Sequence, residues 1–262
     1  MAGRFGATLP RPAPVENKAM ITATSRSPVF AVVPASERAH ADHGWLDTYY
    51  SFSFADYYDP ANENWGALRV FNDDTIAGGT GFPTHPHRDM EIVTYVLSGE
   101  LAHRDSMGNH GVVGPGGVQF MSAGTGVRHS EYNNKAGEPL HLVQMWVLPG
   151  RMGMPPSYGE MAFDVDDRRN RWLDIVSGDP AVNAPIRITQ NATFRVARLE
   201  NATLETEFAP ERYGFLFVAA GSAEANGERL NAGDAVRLYD VGKLTVSGNA
   251  ELVLWDLPGV AP

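Results

Sequence analysis

Apolar and polar positions alternate along most of this chain, and the period is that of strands. In HGWLDTYYSFSFADYYDP (43–60), Phe52 and Phe54 alternate with serines, a two-residue repeat that predicts a strand. Leu68, Val70 and Phe71 predict a second short strand, closed by a turn at Asn72-Asp73-Asp74. From Gly79 to Pro149 strands and turns follow one another. Glu91–Leu97 ends at Ser98-Gly99, and Leu101–His103 runs into the polar segment 104–109. Val112-Val113 precedes Gly114-Pro115-Gly116-Gly117, Val118–Met121 precedes Gly124-Thr125-Gly126, and His141–Leu148 closes the series. Residues 150–170 predict a crossover, after which strands resume at Phe194–Ala197, Gly214–Val218, Ala235–Tyr239 and Leu252–Trp255. No stretch carries a 3.6-residue apolar period long enough for a three-turn helix.

A faint internal repeat organises these strands. GELAH…GVVGPGGV in the first half is answered by GSAEANGERLNAGDAV in the second. Each is a glycine-led strand, a turn, a short strand and a glycine-rich turn, the pattern of a duplicated antiparallel β barrel. The expected fold is therefore all-β, with two antiparallel barrels of jelly-roll type. Residues 1–25 lack periodicity and predict a flexible extension, and Met20 offers a second translation start.

Composition narrows the chemistry. The 262 residues carry 21 basic and 31 acidic side chains, a net charge of −10, and no cysteine. Disulfides, thiolate metal sites and cysteine nucleophiles are excluded together. The acidic balance argues against binding nucleic acid, which requires cations to neutralise phosphates, but suits a basic protein partner. No apolar run is long enough for a membrane span, and residues 1–20 lack a signal-peptide core, which predicts a soluble, cytoplasmic protein.

All eight histidines fall between His40 and His141. Within that window stand His85-Pro86-His87 and His129-Ser130-Glu131. Residues i and i+2 of a strand share a face, so each element offers two ligands side by side. Two such strands facing each other in a barrel converge three imidazoles and one carboxylate. The set is all nitrogen and oxygen and leaves positions for water or substrate. It favours iron(II), with manganese, nickel, copper and zinc as alternatives. Pro86 lacks an N–H, which places its strand at an edge or barrel mouth. Glu91 is the other carboxylate in range; it shares the parity of His85 and His87 unless one bulge intervenes.

Other positions carry weaker expectations. His103 and His110 flank a polar hairpin and are expected at the surface. His141 shares a strand face with Met145 and Val147 and is expected to be packed. Trp45, Tyr49, Tyr50 and Phe52 are read as core. Arg88 and Arg128 adjoin the ligand candidates and either orient an anion or face solvent.

The spacing of these residues resembles the cupins. Gly79, His85-Pro86-His87 and Glu91 follow the first cupin motif, although seven residues rather than six separate Glu91 from Gly99. Gly126, His129 and Asn133 follow the second, with Gly124 where proline is common. More narrowly, THPHRDMEIVTYVLSGELAHRDSMGN and FMSAGTGVRHSEYN resemble the pirin family, whose members are bicupins. HGWLDTYYSFSFADYYDP and LHLVQMWVLP are similar to its bacterial quercetinase-like branch. The resemblance is strong over about residues 40–150 and mainly architectural over 151–262.

The resemblance implies an N-terminal metal-binding cupin barrel over 26–150 and a C-terminal cupin-like barrel over 151–262 without ligands. It implies one iron, held by His85, His87, His129 and Glu131, with Glu91 in a supporting role. Aligning the repeats places Glu207 and Ala209 where the first half has His85 and His87, and Thr245 and Ser247 where it has His129 and Glu131. The family implies a dioxygenase that opens flavonols such as quercetin with O₂, Glu131 acting as base. The other readings are a dioxygenase of another small enolic or phenolic compound, and a non-enzymatic, iron-dependent co-regulator of a transcription-factor partner.

Overall fold

The computed structural model describes residues 27–260. The expected N-terminal extension, and Met20 with it, lie outside the described residues. Three antiparallel-dominated sheets build two barrels. In the first barrel a seven-stranded sheet runs, edge to edge, Ser157–Met161, Val118–Ser122, Glu91–Ser98, Leu140–Val147, Leu68–Ile76, Leu46–Tyr50 and Ala39–Asp42. Facing it is a four-stranded sheet of Gly81–His87, Val127–Asn133, Leu101–Asp105 and His110–Val113. Gly81–His87 is an edge strand, as the missing N–H of Pro86 requires.

The second barrel is one eight-stranded sheet dominated by the long strands Thr193–Glu207, Tyr213–Ala225 and Lys243–Leu257. The chain crosses between the barrels twice. Val29–Val33 pairs with Ala235–Tyr239 of the second, whereas Ser157–Met161 pairs with Val118–Ser122 of the first. Among the described residues the only helical turns are Ala35–Glu37 and Val165–Arg168.

Side-chain parity decides what each face of the seven-stranded sheet does. Phe71, Val93, Tyr95, Val118, Phe120, Val143, Met145 and Val147 point out of the first barrel into one apolar layer with Phe194, Phe215, Phe217, Val253 and Trp255 of the second. Phe71 lies 4.8 Å from Phe215 and 4.9 Å from Phe217, and the Trp255 indole donates to Met145 Sδ at 3.0 Å. The interior of the second barrel is filled by Leu199, Phe208, Leu216, Val218, Leu238, Leu244, Val246, Leu252 and Leu254. The first is different. Its opposite parity places polar side chains inward, between apolar clusters at either end.

Two local expectations are corrected. The strand carrying Tyr49 and Tyr50 is Leu46–Tyr50, and Ser51–Phe54 bends away from it. Side-chain bonds bend this segment: Ser53 Oγ donates to the Asp59 carbonyl and accepts from its N–H, and the Asn62 amide donates to the Ser51 carbonyl. Asn72-Asp73-Asp74 is not a turn but the middle of the nine-residue strand Leu68–Ile76. Its alternation is polar because Asp73 faces outward to Arg38 and His141, while Asn72 and Asp74 line an internal cavity.

Candidate metal centre

The four-stranded sheet sets the site by register. Val127–Asn133 pairs with Gly81–His87 so that His129 stands directly opposite His85 and Val127 opposite His87. The three rings converge, with centroids 4.4 Å apart for His85–His129, 4.8 Å for His85–His87 and 4.9 Å for His87–His129. Their nearest ring nitrogens all lie within 4.8 Å of one another. A register shift between His129 and Glu131 places Glu131 opposite Phe82 on that side. On the other side Glu131 opposes His103, and the ligand atoms of His103, His129 and Glu131 also lie within 4.8 Å of one another. The four residues expected from the sequence thus meet as two overlapping groups that share His129, with His103 added.

Hydrogen bonds prepare these groups for a cation. His85 Nδ1 lies 2.8 Å from the Pro83 carbonyl, so it donates there and leaves Nε2 bare. His129 Nδ1 lies 3.4 Å from His103 Nδ1, and His103 Nε2 lies 3.4 Å from Asp105. Asp105 is fixed by the Asn109 side chain at 2.8 Å and by the Met107 and Asn109 amides at 2.9 Å. With His103 donating to Asp105, its Nδ1 can accept from His129, and His129 then presents a bare Nε2. That atom is buried and has no partner within the protein. An orphaned buried nitrogen at the convergence of three imidazoles fits a metal ion better than any protein donor.

Charge state agrees with this fit. Burial, joined by the neighbouring imidazoles, pushes His87 down to about 4. Burial likewise pushes His129 down to about 4, against the opposing pull of Glu131. Both rings are therefore neutral, with lone pairs available, at neutral pH. Burial alone would raise Glu131, but His129 and the Gln119 and Gln144 amides outweigh it and hold the carboxyl below its ordinary range. Gln119 donates to Glu131 at 2.7 Å and Gln144 at 2.8 Å; Gln144 is itself held by the Trp146 indole at 3.1 Å. The result is a buried, oriented, ionised carboxylate beside neutral imidazoles. This His/Glu group can bind one metal ion.

Glu91 stands elsewhere. Its parity in Glu91–Ser98 turns it out of the first barrel, where it accepts from the Thr189 N–H at 2.6 Å, the Thr189 hydroxyl at 2.9 Å and the Gln190 N–H at 3.2 Å. Burial raises its pKa despite these bonds. His110 is exposed as expected, but His103 is only 3% exposed and stacks on Tyr158 at 4.3 Å, contrary to expectation. His103 shares parity with the buried Leu101, the one signal in the sequence that could have turned it inward. His141 is half-buried against Asp73 at 2.7 Å, and Arg88 and Arg128 are exposed. Among the described residues, neither group has a counterpart in the second barrel, where Leu244 and Val246, on either side of Thr245 in sequence, belong to the packed core.

Beside the histidines lies a cavity of about 230 Å³. Leu46, Phe54, Phe82 and Trp146 give it apolar walls, and Trp146 meets His87 edge-on at 4.8 Å. Thr48, Asn72, Asp74 and Gln144 form its polar side, a feature the sequence reading missed. Burial raises Asp74 to about 7, opposed by the Thr48 hydroxyl and by Arg38 and reinforced by Asp73 and Glu131.

Two jelly-roll barrels, one with a solid apolar interior and one holding a nitrogen-and-oxygen cluster beside a cavity, define a bicupin. Comparison with known proteins agrees. The Pirin family profile matches residues 32–147, and that of the quercetinase C-terminal cupin domain matches 174–257. The chain belongs to the pirin family. It is 46% identical over 233 residues to a pirin-like protein of Caulobacter vibrioides, covering 85% of this chain and 97% of that one. It is 42% identical over 229 residues to quercetin 2,3-dioxygenase of Escherichia coli K12, covering 86% and 97%. The crystal structure of bacterial pirin YhhW from Escherichia coli in complex with nickel(II) superposes with a TM-score of 0.82 at 39% identity, covering 88% of this chain and all of that one.

Proposed function

We propose that this protein is a metal-dependent dioxygenase of the quercetin 2,3-dioxygenase type, opening the heterocycle of a flavonol with O₂ and releasing carbon monoxide. The observation that carries this reading is the unpartnered Nε2 of His129, the residue shared by the His85–His87–His129 group and the His103–His129–Glu131 group, beside a cavity with apolar walls. Support comes from relatives named quercetin 2,3-dioxygenase and from the nickel(II) complex of YhhW. His85, His87, His129 and Glu131 are the residues that would hold the metal. Iron(II) is the ion their hard nitrogen and oxygen donors favour, with nickel, manganese, copper and zinc as alternatives. When bound, such an ion lowers the pKa of a hydroxyl presented to it and opens an electronic route to O₂.

The protein's own groups do the rest. The His85 bond to Pro83 and the Asp105–His103–His129 chain hold both rings in tautomers that leave Nε2 free for a metal. Glu131 is ionised across the neutral range and takes the proton of the substrate 3-hydroxyl at a carboxylate oxygen. Trp146, Phe54, Phe82 and Leu46 flank the aromatic rings and keep bulk water out. The test is Glu131→Gln, followed by oxygen uptake with quercetin on metal-reconstituted protein. Turnover should fall by about 10²–10⁴-fold, the usual worth of a general base, and wild-type turnover would remove Glu131 from this role.

A further inference from the structure

The polar side of the cavity contains more hydrogen-bonding capacity than the protein uses. Thr48 and Asp74 are directly paired across the strands Leu46–Tyr50 and Leu68–Ile76, with Asn72 two residues from Asp74 on the same face. All three are buried, at 1%, 3% and 2% exposure for Thr48, Asn72 and Asp74. Thr48 Oγ1, Asn72 Oδ1 and Asp74 Oδ1 each fall short of a full hydrogen bond within the protein, although the Thr48 hydroxyl is near enough to Asp74 to oppose the rise in its pKa. One such orphan oxygen costs about 1–3 kcal/mol, and native proteins carry few of them. Three on one wall, opposite a metal-binding cluster and facing a shared cavity, are unsuited to packing. Asn72 Oδ1 and Asp74 Oδ1 need a donor brought from outside, and the Thr48 hydroxyl offers such a ligand both a donor and an acceptor.

Resting on the dioxygenase reading of this site, we infer that Thr48, Asn72 and Asp74 form a hydroxyl-recognition wall that selects polyhydroxylated phenolic substrates over analogues lacking those hydroxyls. The cavity size supports a ligand whose hydroxylated ring enters it. At about 230 Å³ it is smaller than the ~300–1,000 Å³ usual for a drug-sized ligand, so one ring fills it and the remainder of a flavonol extends through the mouth. Leu46, Phe54 and Phe82 contact ring faces, the Asn72 and Asp74 oxygens accept from ring hydroxyls, and the Thr48 hydroxyl accepts from one or donates to it. A site built to hydrogen-bond a hydroxyl discriminates strongly against the analogue without it, because its own polar groups are otherwise left unpaired. None of the three is among the four residues assigned to the metal.

The experiment compares binding to the metal-reconstituted protein, by fluorescence quenching or calorimetry, for two probe pairs: quercetin against 3-hydroxyflavone, and pyrogallol against phenol. Wild type should prefer the hydroxyl-rich member of a pair by at least about tenfold, one satisfied donor's worth. Thr48→Val/Asp74→Val should bring the ratio to within about twofold at unchanged metal content. It should also raise the melting temperature of the ligand-free protein by a few degrees, because two orphan oxygens give way to a β-branched cross-strand pair. Asn72→Ala provides an independent second variant should the double substitution misfold, and should also shrink the ratio. A ratio near one in wild type, or one undiminished in variants that fold and keep their metal, overturns the wall and leaves it a site for ordered water. If neither flavonol binds but the pyrogallol preference exists and disappears in the variants, the wall stands and the flavonol reading fails.

Discussion

Glu91 offers a sharp test of how the two barrels share the work, because it sits in the first cupin motif yet points away from the candidate metal site. Its carboxylate is 1% exposed and receives three bonds from Thr189 and Gln190 of the other barrel. Glu91→Ala removes the acceptor for all three donors at once. A hydrogen bond to a charged group contributes about 1.5–3 kcal/mol. Thr189 and Gln190 are half-buried, so water replaces part of what is lost, and the burial that raises the Glu91 pKa offsets a further share. The net loss should be about 2–4 kcal/mol. Glu91→Gln keeps one acceptor oxygen and sheds the desolvated charge, so it should cost about 1 kcal/mol. Urea unfolding of wild type and both variants measures the difference, with metal content read on the same samples. Unchanged metal stoichiometry beside graded destabilisation is the expected result. Loss of metal from the folded Glu91→Gln protein would show that Glu91 belongs to the metal site and that the carboxylate assignment is wrong.

Two further outcomes follow from the protonation states. In the metal-free protein, His87 and His129 titrate at about 4, against roughly 6.5 in an unfolded chain. As pH falls through 6.5 the unfolded chain takes up protons first, so the contribution of these rings is complete above about 6.5 and lost progressively down to about 4, by roughly 2–3 kcal/mol per ring. Unfolding free energies at pH 7.5, 5.5 and 4.5 should show that slope, and it should shrink in His129→Gln; an identical slope in both proteins would contradict it. His103→Phe keeps a ring against Tyr158 but removes the acceptor facing His129 Nδ1. Metal affinity should fall by about 10–100-fold in a chelator competition, and an unchanged affinity would deny His103 its orienting role.

The sequence showed most of what local pattern controls. The duplicated glycine-punctuated strands predicted two barrels, and the i,i+2 spacing of His85, His87, His129 and Glu131 predicted two ligand pairs facing each other. What escaped was set by tertiary context. His103 reads as a hairpin residue because Arg104, Asp105, Ser106 and Asn109 follow it, but pairing with Val127–Asn133 turns it inward beside Glu131. Asn72-Asp73-Asp74 has the composition of a turn, and only the register with Leu140–Val147 and Leu46–Tyr50 shows it as a strand interior. Gln119 and Gln144 carry no spacing signal at all; each matters because two different strands bring it to the same carboxylate. In each case a polar residue sits where a core strand would ordinarily be apolar, and such departures from local rule concentrate at functional sites.

The central claim is that His85, His87, His129 and Glu131 hold one metal ion. Metal content by mass spectrometry, on protein purified without added metal and beside a folded His85→Ala/His129→Ala variant, tests it most directly. The account predicts about one divalent ion per wild-type chain and essentially none in the variant, with iron or nickel taken up on reconstitution of wild type alone. Equal metal in the two proteins, or none in wild type after reconstitution, would contradict it.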